Sequence, residues 1–226
     1  MTAPRVLGVV LAGGQSTRFG SDKALAEIGG RTLLDRAVAT LERQCDAVVV
    51  AGRDGAVVVA GRDGAVVVAG RDGAVVVAGR DGAVVVAGRD GAVVVAGRDG
   101  APVPVIADRP HAGMGPLGGL CGALHHGFER GFDAVLSIPV DGFDLPADLV
   151  GELSPAPAFA HDAQVIGLWP VAARGPLDAL LAEDTVHSLR AFAARIGARA
   201  VHLSRLPGNI NTPADLAAAK DHAHGL

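Results

Sequence analysis

The sequence predicts an α/β fold: a mostly parallel sheet covered by helices on both faces and carrying a β-rich insertion. Three observations lead there. Apolar runs of strand length alternate with segments whose apolar residues recur at helical spacing, the pattern of repeated βα units. Two of the strand segments, VLGVVLA and AVLSIPV, are almost wholly apolar, as strands covered on both faces are. Between the flanks lies a nine-residue phrase, AVVVAGRDG, present six times without a mismatch from Ala47 to Gly100.

The elements follow in order. RVLGVVLA opens the chain as a buried strand. TLLDRAVATLERQ sets Leu33, Leu34, Ala37, Val38 and Leu41 on one helical face, and Thr32 with Asp35 three residues on has the pattern of an N-terminal cap. VPVIAD is a short strand. LGGLCGALHHGFERG is a helix ending near Gly131, and DAVLSIPVD is a second buried strand. SLRAFAARIGA reads as a helix, AVHLSRL as a strand and PADLAAAKDHA as the last helix. Asn211 or Thr212 ahead of Pro213 starts that helix, with Asp215 in its first turn.

The chain reads as one domain over 1–226, with the tandem repeat at 47–100 and about 56–100 inserted. Taking out five copies leaves CDAVVVAGRDGAPVPVIADRP, which runs without a break as strand, turn and strand. Valine triplets favour strand and GRDG favours turns. Two packings fit, an antiparallel meander with a four-residue turn per copy and a β-solenoid. If the first copy is the native strand, five reversals return the chain to the end where the next parallel strand begins. GRDGAVVVA lacks the GGxGxDxUx spacing of calcium-binding rolls. Perfect identity among the copies points to recent duplication and to a passenger, because core positions are tuned one by one.

Composition bounds the partners. The 226 residues carry a formal charge of −4. Each copy pairs one Arg with one Asp, so that charge belongs to the flanks and offers no footprint for nucleic acid. Two cysteines, Cys45 and Cys121, make no disulfide framework, which points to a reducing cytoplasm. The opening apolar stretch is short and lacks a cleavage site, so it is a strand and not a signal peptide. No run approaches the roughly 20 apolar residues that a membrane span needs.

The chemistry concentrates in VVLAGGQSTRFGSDK, Val9 to Lys23. A strand runs into a turn where Gly13 and Gly14 open a backbone path that side chains would block, and such loops aim N–H groups at phosphate oxygens. Two familiar phosphate loops do not fit. The P-loop needs GxxxxGK[ST], whereas Gly20 is followed by Ser21 and Asp22. The dinucleotide fingerprint needs GxGxxG, which Gly13-Gly14-Gln15 breaks.

LAGGQSTRFGSDK resembles the signature LAGGxSxRxGxDK of the molybdenum cofactor guanylyltransferases. The resemblance covers most of the chain outside the repeat. It implies a Rossmann-like, three-layer nucleotidyltransferase that joins GMP from GTP to molybdenum-molybdopterin and releases pyrophosphate. It further implies Mg²⁺ as cofactor, with molybdopterin-handling proteins as further expected partners. By this resemblance Leu11, Ala12, Gly13 and Gly14 hold the nucleotide, and Arg18 and Lys23 face the triphosphate as catalytic cations. Asp108, closing VIAD, contacts the nucleotide, and Gly115 to Gly119 form a glycine-rich loop beside it. Asp141, closing LSIPVD, binds magnesium, and Asn209 and Asn211 stand on the pterin side.

Some positions carry plainer readings or departures. Asp108 reads equally as a partner for Arg109. Where the family often has Asp-x-Pro, this chain has Asp141-Gly142-Phe143-Asp144, which offers Asp144 as a weak second carboxylate. Ala51 stands where the family can have a substrate-contacting asparagine. His125 and His126 read as surface or packing residues, His222 and His224 as solvated, and Trp169 as packing.

Three functional readings follow. The first is a guanylyltransferase. The second is a related cytidylyl- or sugar-phosphate transferase, against which LAGG in place of LAAG speaks by resemblance. The third is a repeat-based interaction protein with an inactive transferase domain, for which deleting 56–100 abolishes function, whereas on the first reading that deletion keeps or raises activity.

Overall fold

The structure is a computed structural model that describes residues 3–12, 23–51, 66–69, 75–78, 94–96, 102–210 and 212–223. In chain order its strands are β1 (Val6–Leu11), β2 (Glu27–Ile28), β3 (Arg31–Thr32), β4 (Ala47–Ala51), β5 (Val66–Ala69), β6 (Val75–Ala78), β7 (Val94–Ala96), β8 (Pro102–Ile106), β9 (Ala134–Pro139), β10 (Gly142–Phe143), β11 (Ala158–Ala160), β12 (Ala163–Pro170), β13 (Arg199–Val201) and β14 (Gly208–Asn209). Its helices are α1 (Leu33–Leu41), α2 (Gly115–Glu129), α3 (Leu149–Leu153), α4 (Arg174–Ala182), α5 (Leu189–Arg195) and α6 (Pro213–Ala223).

The main sheet runs β13-β11-β12-β9-β1-β4-β8-β7. Its centre, β9-β1-β4-β8, is parallel throughout. β12 lies antiparallel against β9 and β7 antiparallel against β8. The period of two along β1 divides its side chains between two cores. Val6 and Val10 face the layer of α1 and α3, with Leu34, Val38, Leu41, Leu149 and Leu153. Leu7, Val9 and Leu11 face the layer of α2, α4 and α5, with Leu120, Leu124, Leu177, Leu180 and Phe192. The three-layer arrangement expected from the sequence is thus present.

Local signals mostly act as read. Thr32 Oγ1 accepts from Asp35 N at 3.0 Å while Asp35 Oδ2 accepts from Thr32 N at 3.2 Å, so α1 begins in a capping box. The same exchange between Thr212 and Asp215 starts α6. Trp169 is packing, fully buried between Phe159 and Phe192, with its Nε1 donating to Ser137 Oγ at 2.9 Å. Both cysteines are free.

The structure corrects other expectations. Gly115 to Gly119 are not a loop: they form the first turns of α2, with Pro116 at its start. The glycines serve close packing. A Cβ at Gly119 would stand 2.9 Å from Leu11 Cδ2 and 3.2 Å from Ala51 Cβ, and one at Gly122 would stand 2.3 Å from the Ala107 carbonyl oxygen. Of AVHLSRL only Ala200 and Val201 are in a strand, the last two residues of β13.

Within the repeat, the first copy supplies β4, buried between β1 and β8. β5 and β6 belong to successive copies and pair antiparallel, Val66 opposite Ala78 and Ala69 opposite Val75. The copies at 56–64 and 83–91 lie outside the described residues. No described helix is long and apolar enough to cross a membrane.

Candidate active site

The parallel register brings the C-terminal ends of four strands level. Leu11 stands opposite both Ala51 and Pro139, and Ala51 opposite Ile106. Ala12 N donates to the Ala51 carbonyl at 2.9 Å, and Val140 N to the Leu11 carbonyl at 3.2 Å. Ala12, Asp108 and Asp141 therefore leave the sheet at one edge, where open α/β folds bind ligands. Asp108 and Asp141 follow strands three places apart, about 14 Å across at ordinary strand spacing.

At the β9 end, Lys23 Nζ meets Asp141 Oδ2 at 2.6 Å. Their side chains keep 12% and 20% of their surface in water, so the pair is sheltered yet reachable. Lys23 opens a short 3₁₀ turn just beyond the glycine-rich segment. The sequence placed Lys23 and Asp141 in one site from two separate motifs, and the fold joins them.

At the β8 end, Asp108 lies against the first turns of α2. The positions of a Cβ at Gly118 and Gly119 fall 3.1 Å and 3.4 Å from its side-chain atoms. Arg109 N donates to the Gly118 carbonyl at 3.1 Å, holding strand end and helix together. Met114 gives α2 no side-chain cap, and the helix start lies near Asp108 through Gly118 and Gly119. Ala51 is buried beside Leu11 and brings no polar group there.

The expected pterin-side segment also arrives at Asp141. β14 pairs with β10, placing Asn209 opposite Gly142, and Ile210 N donates to the Asp141 carbonyl at 3.2 Å. Asn209 is exposed at this edge. Gly13, Gly14, Arg18 and Asn211 lie outside the described residues, as does His224. Asp144 adopts φ 56 and pairs with Arg205, so it is engaged away from the expected carboxylate role.

The oxygen chemistry of Asp141 fits Mg²⁺, a hard cation usually held by one or two carboxylates together with substrate phosphates. With Lys23 on one carboxylate oxygen, the other is the natural donor.

One group of reactive side chains escaped the sequence reading. His125 is not simply a surface or packing residue: its Nε2 lies 2.9 Å from Asp178 Oδ2, and Cys121 Sγ donates to Asp178 Oδ1 at 3.2 Å. Burial, then the Asp178 hydrogen bond and charge, pushes the Cys121 thiol up to about 12. Burial works to raise Asp178, but its bonds to His125 and Cys121 outweigh that and hold the carboxyl below its ordinary value. The spacing of Cys121 and His125, one helical turn apart, was the available signal; the third member sits 53 residues beyond His125.

Residues 8–208 match the MobA-like NTP transferase domain. A molybdenum cofactor guanylyltransferase of Acidiphilium cryptum (strain JF-5) is 36% identical over 221 residues, covering 94% of this chain and 92% of that protein. The Rhodobacter capsulatus protein of the same name is 32% identical, with 96% of each chain covered. Among solved structures, the molybdopterin-guanine dinucleotide biosynthesis protein A of Archaeoglobus fulgidus superposes with a TM-score of 0.57 at 16% identity, covering 98% of this chain and 100% of that one. A Thermus thermophilus 2-C-methyl-D-erythritol 4-phosphate cytidylyltransferase gives 0.52 at 16% identity, covering 96% and 98%. At those identities the two structures speak to the fold alone.

Proposed function

The chain belongs to the MobA-like NTP transferase domain family, and from that premise we propose that it transfers GMP from GTP to molybdenum-molybdopterin, forming the guanine dinucleotide cofactor and pyrophosphate. The observation that carries this reading is the Lys23–Asp141 pair at the edge of the parallel sheet, within a chain 36% identical to a molybdenum cofactor guanylyltransferase.

The reaction joins two anions: a pterin phosphate attacks the α-phosphorus of GTP and pyrophosphate leaves. Such transfers need positioning and charge neutralisation more than a covalent nucleophile. Asp108 and the open start of α2 orient the nucleotide at one end of the edge, since uncapped helix amides favour phosphate oxygens. Lys23 adds fixed positive charge at the other end, where negative charge builds on the leaving group. Arg18 joins it there by resemblance. Asn209, beside Asp141, orients the pterin partner, with Asn211 next to it in sequence. Asp141 would hold Mg²⁺, which would supply positive charge against that of the phosphates. Lys23 donates to the Asp141 carboxylate and so helps to fix its position.

The test is to incubate the protein with GTP, Mg²⁺ and molybdenum-loaded molybdopterin and to measure pyrophosphate and the dinucleotide. Both appear, and omitting Mg²⁺ stops the reaction. Preference for CTP over GTP would move the assignment to a cytidylyltransferase. Absence of pyrophosphate with every nucleotide would leave the domain inactive.

A further inference from the structure

We propose that Cys121, His125 and Asp178 form a binding site for one divalent transition-metal ion, Zn²⁺ in the first instance, that ties α2 to α4. Cys121 and His125 stand one turn apart on one face of α2, and Asp178 reaches them from α4. Sγ of Cys121, Nε2 of His125 and a carboxylate oxygen of Asp178 all lie within 4.8 Å of one another. Tetrahedral zinc with S, N and O donors sets ligand atoms about 3.3–3.7 Å apart. The observed contacts of 2.9 and 3.2 Å need only a small outward shift.

The donor set selects the ion. A thiol, an imidazole and a carboxylate suit zinc and poorly suit Mg²⁺ or Ca²⁺, which take oxygen. Exposure grades from the fully buried Cys121 through His125, at 19%, to Asp178, at 48%. The cluster therefore opens toward solvent on its carboxylate side, which gives the ion a route in and leaves a fourth position for water. Protons balance simply. The Cys121 thiol releases one proton to solvent, and neutral His125 binds through Nε2 with its hydrogen on Nδ1. Thiolate and carboxylate then offset the charge of the ion. None of the three side chains serves the transfer reaction proposed above, so the inference stands apart from it. Its consequence is mechanical: α2, which lies against Asp108 and β4, is pinned to α4, its neighbour in the same helix layer.

Titration of the metal-free chain with Co²⁺ tests this. We expect saturation at one ion per chain with a near-ultraviolet thiolate-to-cobalt charge-transfer band, and displacement of that band by an equivalent of Zn²⁺. Cys121→Ser loses the band, whereas Cys45→Ser, which removes the other thiol, keeps it. Asp178→Asn retains a thiolate band but binds about tenfold more weakly or worse, since even outer-shell losses reach that range; this variant also decides the matter if Cys121→Ser fails to fold. At one Zn²⁺ concentration the melting temperature rises by less in the folded Asp178→Asn chain than in wild type. Binding without a thiolate band, as at the exposed His161, Asp162 and His202 group, or a band that survives Cys121→Ser, overturns the proposal.

Discussion

Lys23 and Asp141 touch at 2.6 Å although 118 residues separate them in the chain. The contact joins a strand-end carboxylate to the lysine that follows the glycine-rich segment, and the role proposed for it in phosphate transfer makes a residue-scale test. Lys23→Ala and Asp141→Asn should each lower turnover about a hundredfold or more, the scale of losing one fixed electrostatic contact to developing charge. Urea unfolding should remain cooperative in both, because the pair sits at the rim and not among the core side chains. Normal turnover in either variant would falsify the assigned roles. Cys45 offers a test of stability. Burial, then the charge of neighbouring Asp46, pushes its thiol up to about 12. The unfolded thiol ionises near 8.5. The raised folded value therefore adds stability that is complete below the unfolded pKa and is lost as pH climbs toward the folded one. Between about pH 9 and 12 wild type should lose stability faster than Cys45→Ala, by up to about 1.4 kcal/mol per pH unit. Parallel pH profiles for the two chains would contradict that account.

Elements show which physical signals the sequence carries openly. α1 was legible because Thr32 and Asp35 cap each other and five apolar residues line one face; those are contacts within a few residues. β1 and β9 were legible because strands covered on both faces have little room for polar side chains. α2 shows the opposite case. Its opening glycines resemble a loop in composition, yet they are present because the helix lies hard against β1, β4 and the Ala107 carbonyl, a tertiary fact that no local pattern records. The antiparallel β12 was missed for a related reason: AQVIGLWP pairs with β9 across a separation of about thirty residues, and only its later half is buried. α4 was hidden by Pro176 in its first turn, where proline is tolerated but reads as a breaker. Of the site, Lys23, Asp108 and Asp141 were visible as strand-end and loop residues. The Cys121, His125 and Asp178 group was not, since Asp178 meets the others only once α4 packs on α2. The tight approach of α2 has a measurable consequence. Gly122→Ala would set a methyl 2.3 Å from a backbone oxygen that cannot rotate away. We expect a loss of about 1–3 kcal/mol, seen as a lower urea midpoint at unchanged slope. A midpoint equal to wild type would mean that helix and strand are farther apart than described.

At the scale of the whole molecule, the topology revises what the repeat is for. β4 and β8 are parallel neighbours, Ala51 beside Ile106, so the chain must leave one end of the sheet and re-enter at the other. Parallel neighbours ordinarily need a crossover of a dozen residues or more. Deleting 56–100 would leave five residues, 52–55 and 101, between β4 and β8. They would have to return about 14 Å along the strands and across one strand spacing. Fully extended they reach about 20 Å, with little to spare for clearing the sheet. The last copy offers a way back, because β7 runs antiparallel to β8 with Val95 opposite Val103. One return strand is an odd number of added strands, which is all that closure requires. We therefore expect the chain lacking 56–91, which keeps the first and last copies, to retain both its unfolding midpoint and its transfer of GMP. The chain lacking 56–100, expected from the sequence alone to keep or raise activity, should instead be destabilised and poorly active. The comparison is informative in every combination. Loss of activity in the 56–91 deletion, with the fold preserved, would make the array a working surface and favour the interaction reading. Full activity in the 56–100 deletion would show that five residues suffice for the crossover and that every added copy is dispensable. The expected order, with the single retained copy rescuing what complete removal damages, would assign the repeat a structural minimum of one strand and leave the other four without a role in the fold.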